Sequence, residues 1–399
     1  MASKKFILRV YFKKLYTSPP GFILLFRKPV LRIYRFCKLV RPTQWILSGN
    51  EISSEKYLAI KYIGNEIDKQ FWGELIFGKY FHEECIGRAW FWQIIALTDK
   101  KIKKYSLLII GIPKILRLLF QTNFFYIPCW IQNVIYTSEK KLLSFKSHSL
   151  KMDIKKIKKN QYEFSVTKDH KEFENFYYNM HVPFIRQQHG KKAVLMEYDF
   201  LKNKLNECEL LLISKNKENI AGVLIHYHKG EALLWIAGIK NANIDYFKKG
   251  ITGTLYYFPI IHCIEKGIKK INLGGTKPFF KNGIFQYKKK WAPEIAYPSY
   301  TGFLLKQTRV SASANSFFIN NPFISHDKSG VNCSLFTDLS QSDFNKKLKK
   351  FIQENPMKGL SEILVYPLNH AKIDKIDCSS IDPSLNLRIC QNSKRLSKK

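Results

Sequence analysis

Short apolar runs bounded by turn residues dominate the middle of the chain. Glu209–Ser214, Asn219–His228 and Ala232–Gly238 read as three strands, the last two joined by a tight turn at Lys229 and Gly230. Ahead of them Tyr162–Val166 reads as a strand, and Phe173, Phe176 and Tyr177 give Lys168–Met180 helical spacing. A second helical stretch covers Tyr198–Asn206. Downstream come a helix at Gly253–Lys266, a strand at Lys270–Leu273, a short helix at Gly283–Trp291 and a strand at Ser299–Leu305. The predicted order is β-α-α-β-β-β-α-β-α-β, a mixed α/β (α+β) domain.

The flanks are less regular. Residues 45–147 contain strand-like runs at Ser106–Ile112 and Phe124–Tyr136 without an assignable topology. The uncharged run Leu118–Ser138 is the strongest candidate for a membrane span. Gln121, Asn123, Pro128, Gln132 and Asn133 interrupt it, and polar groups in lipid need internal partners, so buried strands are expected instead. After a Ser/Asn-rich link at Ser311–Asn321, residues 333–336, 342–354 and 361–366 read as a strand, a helix and a strand of an appended α/β unit. The last residues, 391–399, form a basic tail.

Charge changes the picture at the N-terminus. Residues 1–50 carry eleven Lys or Arg and no Asp or Glu, in a chain of net charge +35. Lys5, Arg9 and Lys13, then Lys28, Arg32 and Arg35, recur at helical spacing on either side of Pro19, Pro20 and Gly21. Two basic amphipathic helices fit residues 1–44. They suit attachment to an anionic membrane or RNA, and equally an arm packed on the protein's own body. With 399 residues, 45% of them hydrophobic, the chain has material for two or three domains. Its eight cysteines are scattered and the apolar run Phe22–Phe26 is shorter than a signal peptide needs. Together these suggest a cytoplasmic protein, either free or peripheral on the inner face of the membrane. His226 and His228 share a strand face but have no third ligand at a readable distance, so no metal site is expected. Walker, HEXXH, GxSxG and kinase signatures are absent from the sequence.

The segment INLGGTKPFFKNGIFQYKKKWAPE, residues 271–294, resembles the signature of the Fem-type, peptidoglycan-bridge-like branch of the GNAT acyltransferases. Residues 147–159 (SHSLKMDIKKIKK) and 182–190 (VPFIRQQHG) resemble earlier blocks of that branch, and the predicted element order is that of the GNAT fold. The resemblance implies a GNAT-like mixed sheet flanked by helices at 148–305. It also implies a diverged first GNAT-like copy at 45–147, with an arm at 1–44 and an appendage at 306–390. It further implies acyl or aminoacyl transfer to an amine or hydroxyl of an envelope or polysaccharide-type intermediate. The donor would be acyl-CoA or aminoacyl-tRNA as a co-substrate, with no bound cofactor. The competing reading is a non-catalytic GNAT-like scaffold that binds membrane or RNA through its basic arm.

Within this frame two central strands part and hold the donor, whose phosphates meet the start of the next helix, where free N–H groups and the helix dipole favour anions. Lys248, Lys249, Gly250, Thr252, Gly253 and Thr254 occupy that loop, with Gly-x-x-Gly in place of the usual coenzyme A motif. An ordinary helix-entry loop with solvated lysines has the same composition. The resemblance places Lys288 at the transfer centre, where a fixed cation would stabilise the developing oxyanion. Lys289 and Lys290 read as a solvated basic face. Gly274, Gly275, Lys277 and Trp291 are candidates for lining the acceptor site, with Arg186 as a fork for an anionic group, His189 as a base and Tyr198 as a weaker lining residue. Ala292 stands where the family usually has Gly.

Overall fold

The computed structural model describes residues 40–97, 102–120, 123–137, 148–190, 193, 195–296, 300–355, 358–368, 371, 373, 386–391 and 396. The arm expected at 1–44 therefore falls almost wholly outside the described residues, as does most of the basic tail. The described chain begins with β1 (Thr43–Asn50), β2 (Tyr57–Gly64), α1 (Glu66–Phe77), β3 (His82–Arg88), β4 (Leu107–Pro113), β5 (Phe125–Pro128) and β6 (Ile131–Tyr136). Next are α2 (His148–Lys159), β7 (Glu163–Thr167), α3 (His170–Phe176), α4 (Val182–His189) and α5 (Tyr198–Lys202). Three strands follow, β8 (Cys208–Lys215), β9 (Glu218–His228) and β10 (Glu231–Ile239), then α6 (Ile244–Lys248) and α7 (Ile251–Glu265). The remainder is β11 (Lys270–Thr276), α8 (Gly283–Trp291), β12 (Glu294–Ala296), β13 (Thr301–Gln307), α9 (Ala312–Asn320), β14 (Phe323–Asp327), β15 (Gly330–Thr337), α10 (Gln341–Glu354), β16 (Glu362–Pro367) and β17 (Asn386–Ile389). No helix of the described residues is long and apolar enough to cross a membrane.

The chain divides into two compact units, one of residues 1–125, 303–317 and 392–399, the other of residues 126–302 and 318–391. The first holds β1 to β4, which open a six-stranded sheet of order β3-β1-β2-β4-β13-β5. The second holds a seven-stranded sheet of order β12-β6-β11-β10-β9-β8-β7 and a four-stranded sheet of order β14-β15-β16-β17.

The strands and helices predicted between Tyr162 and Trp291 are present. The β9–β10 turn has both Lys229 (φ 49) and Gly230 (φ 78) in the left-handed region, as a two-residue hairpin loop requires. At three places the structure adds to or departs from the sequence pattern. The run Phe124–Tyr136 is two strands in different sheets, broken where Pro128 offers no N–H to a ladder. The strand expected at Ser299–Leu305 as the last of the 148–305 domain is β13 (Thr301–Gln307) of the six-stranded sheet, while the place beside β11 is held by β6, with Asn272 opposite Val134 and Thr276 opposite Ile131. The Ser/Asn-rich link is α9: Ala314, Phe317 and Phe318, at i, i+3 and i+4, are all fully buried.

Two glycines in mid-strand have a purpose. Gly222 of β9 and Gly238 of β10 are register partners. A Cβ on Gly238 would lie 2.5 Å from the backbone N of His181, and one on Gly222 would lie 2.9 Å from the Phe176 ring. They let the helical segment between α3 and α4 lie directly on the sheet. Gly238→Ala is therefore expected to destabilise the second unit by about 1–3 kcal/mol or more, since backbone must move to admit the methyl. A fall in the urea midpoint without a change of slope measures it.

Candidate active site

The centre of the seven-stranded sheet is where β10 and β11 run parallel. They pair through only three positions, Glu231–Lys270, Ala232–Ile271 and Leu233–Asn272, although β10 continues to Ile239 and β11 to Thr276. Each strand is irregular just where they stop pairing. The β9–β10 register slips between Leu234 and Ile236, and the β11–β6 register slips between Asn272 and Gly275. The second bulge is built from polar side chains. Asn272 donates through Nδ2 to Gln132 at 2.7 Å and accepts the Gly274 N–H at 2.8 Å. Gly274 takes φ 81, a conformation that costs glycine little.

Lys288 reaches this bulge from α8. Asn282 caps the helix by accepting from the Phe285 N–H at 3.0 Å. The Lys288 Nζ donates to the Gly275 carbonyl at 3.2 Å and is 3.3 Å from where a Cβ on Gly274 would lie. The same Cβ position is 3.5 Å from the Leu234 carbonyl of β10, so the ammonium sits at the mouth of the parting strands. Lys288 is 8% exposed and, among the described residues, has no carboxylate within ion-pair distance. Burial alone lowers its pKa from 10.5 to about 8.

The neighbouring lysines are not the solvated face the sequence suggested. Lys289 donates to the Glu354 carbonyl at 2.8 Å and to Asn355, at the end of α10, and burial brings its pKa to about 8. Lys290 meets the Asp153 carboxylate of α2 at 2.5 Å and lies 3.8 Å from the centre of the Tyr287 ring. Successive residues on a helix point about 100° apart. The two outer lysines thus pin α8 in the one rotation that points Lys288 inward.

Other residues named from the sequence divide. Gly275 and Lys277 stand beside Trp130, which is 47% exposed. A Cβ on Gly275 would lie 3.4 Å from the Trp130 ring, and the Lys277 Nζ lies 4.2 Å from the ring centre. Trp291 is instead a core residue, buried and stacked on Tyr256 with ring centres 6.1 Å apart, so it lines no acceptor surface. In the helix-entry loop, Lys248 and Lys249 are exposed and Gly250 takes φ 86. Gly250 and Gly253 face α2, where their Cβ atoms would lie 3.0 Å from Lys156 and 3.3 Å from Ile157. Thr254 is buried with its hydroxyl on the Ile251 carbonyl at 2.6 Å, so Gly253 and Thr254 serve packing rather than ligand contact. Thr252 is half-buried.

On the β10 side, Arg186 of α4 is exposed, and the side chain of His189 lies outside the described residues. Tyr198 is half-buried, its ring stacked on Phe173 at 5.6 Å and tilted against Tyr177 at 5.3 Å. The sequence reading missed His181. It closes a π-helical turn, Tyr177–His181, and is buried with Nδ1 2.8 Å from the Ala237 carbonyl of β10, beyond the point where β10 leaves β11. That contact makes Nδ1 the protonated nitrogen and leaves Nε2 an acceptor. Burial lowers its pKa, so the ring is neutral near pH 7. One clue lay in the sequence: Gly222 and Gly238 interrupt two apolar strands where something must approach closely. His226 donates through Nε2 to the Glu207 carboxylate at 2.9 Å, and no group of three or more potential metal ligands occurs among the described residues.

The Lys288 geometry carries a stability cost with a definite sign. Its folded pKa, about 8, lies below its unfolded value of 10.5. The unfolded chain therefore binds the proton more strongly, the penalty is complete below pH 8, and it fades as pH rises to 10.5. Lys288→Met is expected to stabilise the protein at pH 7 by on the order of 1–3 kcal/mol, a gain that vanishes near pH 10.5. Denaturant unfolding of both proteins at the two pH values reads it.

No protein-family model matches the chain, and no curated protein does. Solved structures similar to it include the C-terminal domain of a putative lysylphosphatidylglycerol synthetase from Agrobacterium fabrum. That match has 13% identity, spans 68% of this chain and 83% of that one, and has a TM-score of 0.36. L-PGS from Bacillus licheniformis matches at 14% identity over 67% of this chain and 86% of that one, TM-score 0.35. FemX matches at 10% identity over 65% and 83%, TM-score 0.35. By its own strand order, its parallel pair that parts after three positions and the helix that follows β10, the second unit has a GNAT-like mixed α/β fold.

Proposed function

We propose that this protein is an acyltransferase of the Fem-like GNAT kind, passing an acyl or aminoacyl group to an amine or hydroxyl of an envelope or polysaccharide-type intermediate. The observation that carries the proposal is the buried, carboxylate-free Lys288 ammonium at the mouth of the parted β10 and β11. An enclosed cation with one carbonyl partner keeps two N–H donors for a group that arrives with negative charge.

In the proposed step the acceptor nitrogen or oxygen attacks the donor's carbonyl carbon and the C=O electron pair moves to oxygen. That oxyanion takes a hydrogen bond from Lys288. Collapse expels the donor's thiol or ribose oxygen, which leaves with the proton the nucleophile sheds. The neutral His181, with Nε2 as acceptor, takes the place beside β10 first given to His189 as the group able to relay that proton. Arg186 and Tyr198 hold the acceptor, and Gly274, Gly275, Lys277 and Trp130 line its path. Lys248 and Lys249, with Thr252 behind them, meet the donor's phosphates. The Gly-x-x-Gly of Gly250 and Gly253, which pack against α2, stands in place of the usual coenzyme A motif and supports a donor carried on tRNA over acyl-CoA. The net charge of +35 suits the same polyanion.

Lys288→Met is expected to lower turnover about 10²–10³-fold with the fold intact, the effect of removing one oxyanion donor. Assays with charged tRNA and with acyl-CoAs check it: unchanged turnover in the variant would remove Lys288 from the mechanism, and no turnover by the parent with any donor would favour the scaffold reading. Because the acting form of Lys288 is the ammonium, kcat should fall as pH rises through about 8. A rise over that interval would mean the neutral amine acts as a base.

A further inference from the structure

The first unit carries an apolar surface that the transfer chemistry does not use. Trp90, Trp92 and Ile95 surround the single helical turn Phe91–Ile95, and their exposures are 38%, 57% and 39%. The two indoles stack on each other at 4.7 Å, and the Arg41 guanidinium lies 5.1 Å from the Trp90 ring centre. The 3-10 turn Lys114–Leu119, KILRLL, has no buried residue, and its Ile115, Leu118 and Leu119 are 76%, 86% and 54% exposed. An edge-on contact between Phe91 and Phe120, 5.9 Å between ring centres, joins the two turns into one patch. Exposed apolar groups scattered singly are ordinary, but a joined patch with paired tryptophans calls for a partner.

We propose that this patch is a docking face for the headgroup layer of an anionic lipid bilayer, independent of the acyl-transfer reading. Two observations select that partner. First, the charges placed at the patch are cationic: Arg41 lies over Trp90, and the turn Lys114–Leu119 carries Lys114 and Arg117 and no acid. Residues 1–39, which lead directly to Arg41, contain no acid at all. That segment is thus not charge-complementary to the patch, whereas an anionic surface complements both. Second, the composition matches an interfacial face. Indole rings sit at headgroup depth, Ile and Leu side chains enter the acyl boundary, and Lys or Arg meet the lipid phosphates. A nucleic acid would use the rings but leave Ile115, Leu118 and Leu119 without apolar partners.

The test uses the full chain with vesicles of phosphatidylcholine containing about 30% phosphatidylglycerol, and with pure phosphatidylcholine vesicles as control. Flotation is expected only with the anionic vesicles. Brominated acyl chains should quench tryptophan fluorescence, and the quenching should be lost in Trp90→Phe/Trp92→Phe. Trp92→Ser/Leu118→Ser/Leu119→Ser should weaken vesicle binding at least 10-fold while keeping the melting temperature. Equal binding by the triple variant would overturn the proposal, leaving the arm alone as the attachment device. So would binding to tRNA, in place of vesicles, that the triple variant weakens. A loss of melting temperature on deleting residues 1–39, with no vesicle binding by the parent, would show that this segment covers the patch and would equally overturn it. Concentration-dependent dimerisation relieved by the same substitutions would assign the face to a second copy of the chain.

Discussion

Burying one ammonium without a counter-charge is the constraint around which the second unit is organised. An unpaired cation in a poorly solvated setting destabilises a fold, and proteins ordinarily remove it or pair it. Here Lys288 is held against a single carbonyl at a point where two parallel strands have just stopped pairing. The cost is tolerable because the groups around it are fixed independently. Asn272 ties down both the Gln132 side chain and the Gly274 N–H, so the bulge that presents the Gly275 carbonyl does not depend on the lysine. A site that keeps a cation under-solvated is ready to favour negative charge that develops on a reacting group. That is the electrostatic preorganisation acyl transfer requires.

The run of three lysines shows how one helix divides identical side chains among different tasks. Lys289 caps the C-terminal end of α10, where carbonyls lack intrahelical partners, and Lys290 pairs with Asp153 on α2. Neither could exchange places with Lys288 without rotating α8 by a full residue step. The four-stranded sheet and its helix α10, an appendage in sequence, thereby contribute to the aim of the central lysine through Glu354 and Asn355.

The other side of the split is arranged by the absence of side chains. Gly222 and Gly238, opposite each other on adjacent strands, remove two Cβ atoms so that the Tyr177–His181 turn can rest on the sheet. The π-type turn then brings the His181 ring to the Ala237 carbonyl, which fixes its tautomer. Insertions of this kind often mark functional positions, because they re-aim a side chain that regular helix geometry would turn away. The π turn and the two glycines thus have one joint outcome: a neutral imidazole against the free half of β10.

Local pattern was enough to establish the strands and helices from Tyr162 to Trp291 and the hairpin at Lys229 and Gly230, whereas Lys288 was singled out by the resemblance of residues 271–294 to a family signature. Each of these depends on periodicity, turn chemistry or a short motif, which neighbouring residues carry among themselves. Pairing between distant segments was not legible. That β6 and not β13 lies beside β11, that the Ser/Asn-rich stretch 311–321 is a buried helix, and that Lys289 and Lys290 are tethered were all decided by partners more than sixty or a hundred residues away, or by a core the stretch itself does not display. His181 was invisible for the same reason, since its partner is the Ala237 carbonyl 56 residues on. A backbone carbonyl has no signature in the sequence, so only the folded chain could show which histidine meets it.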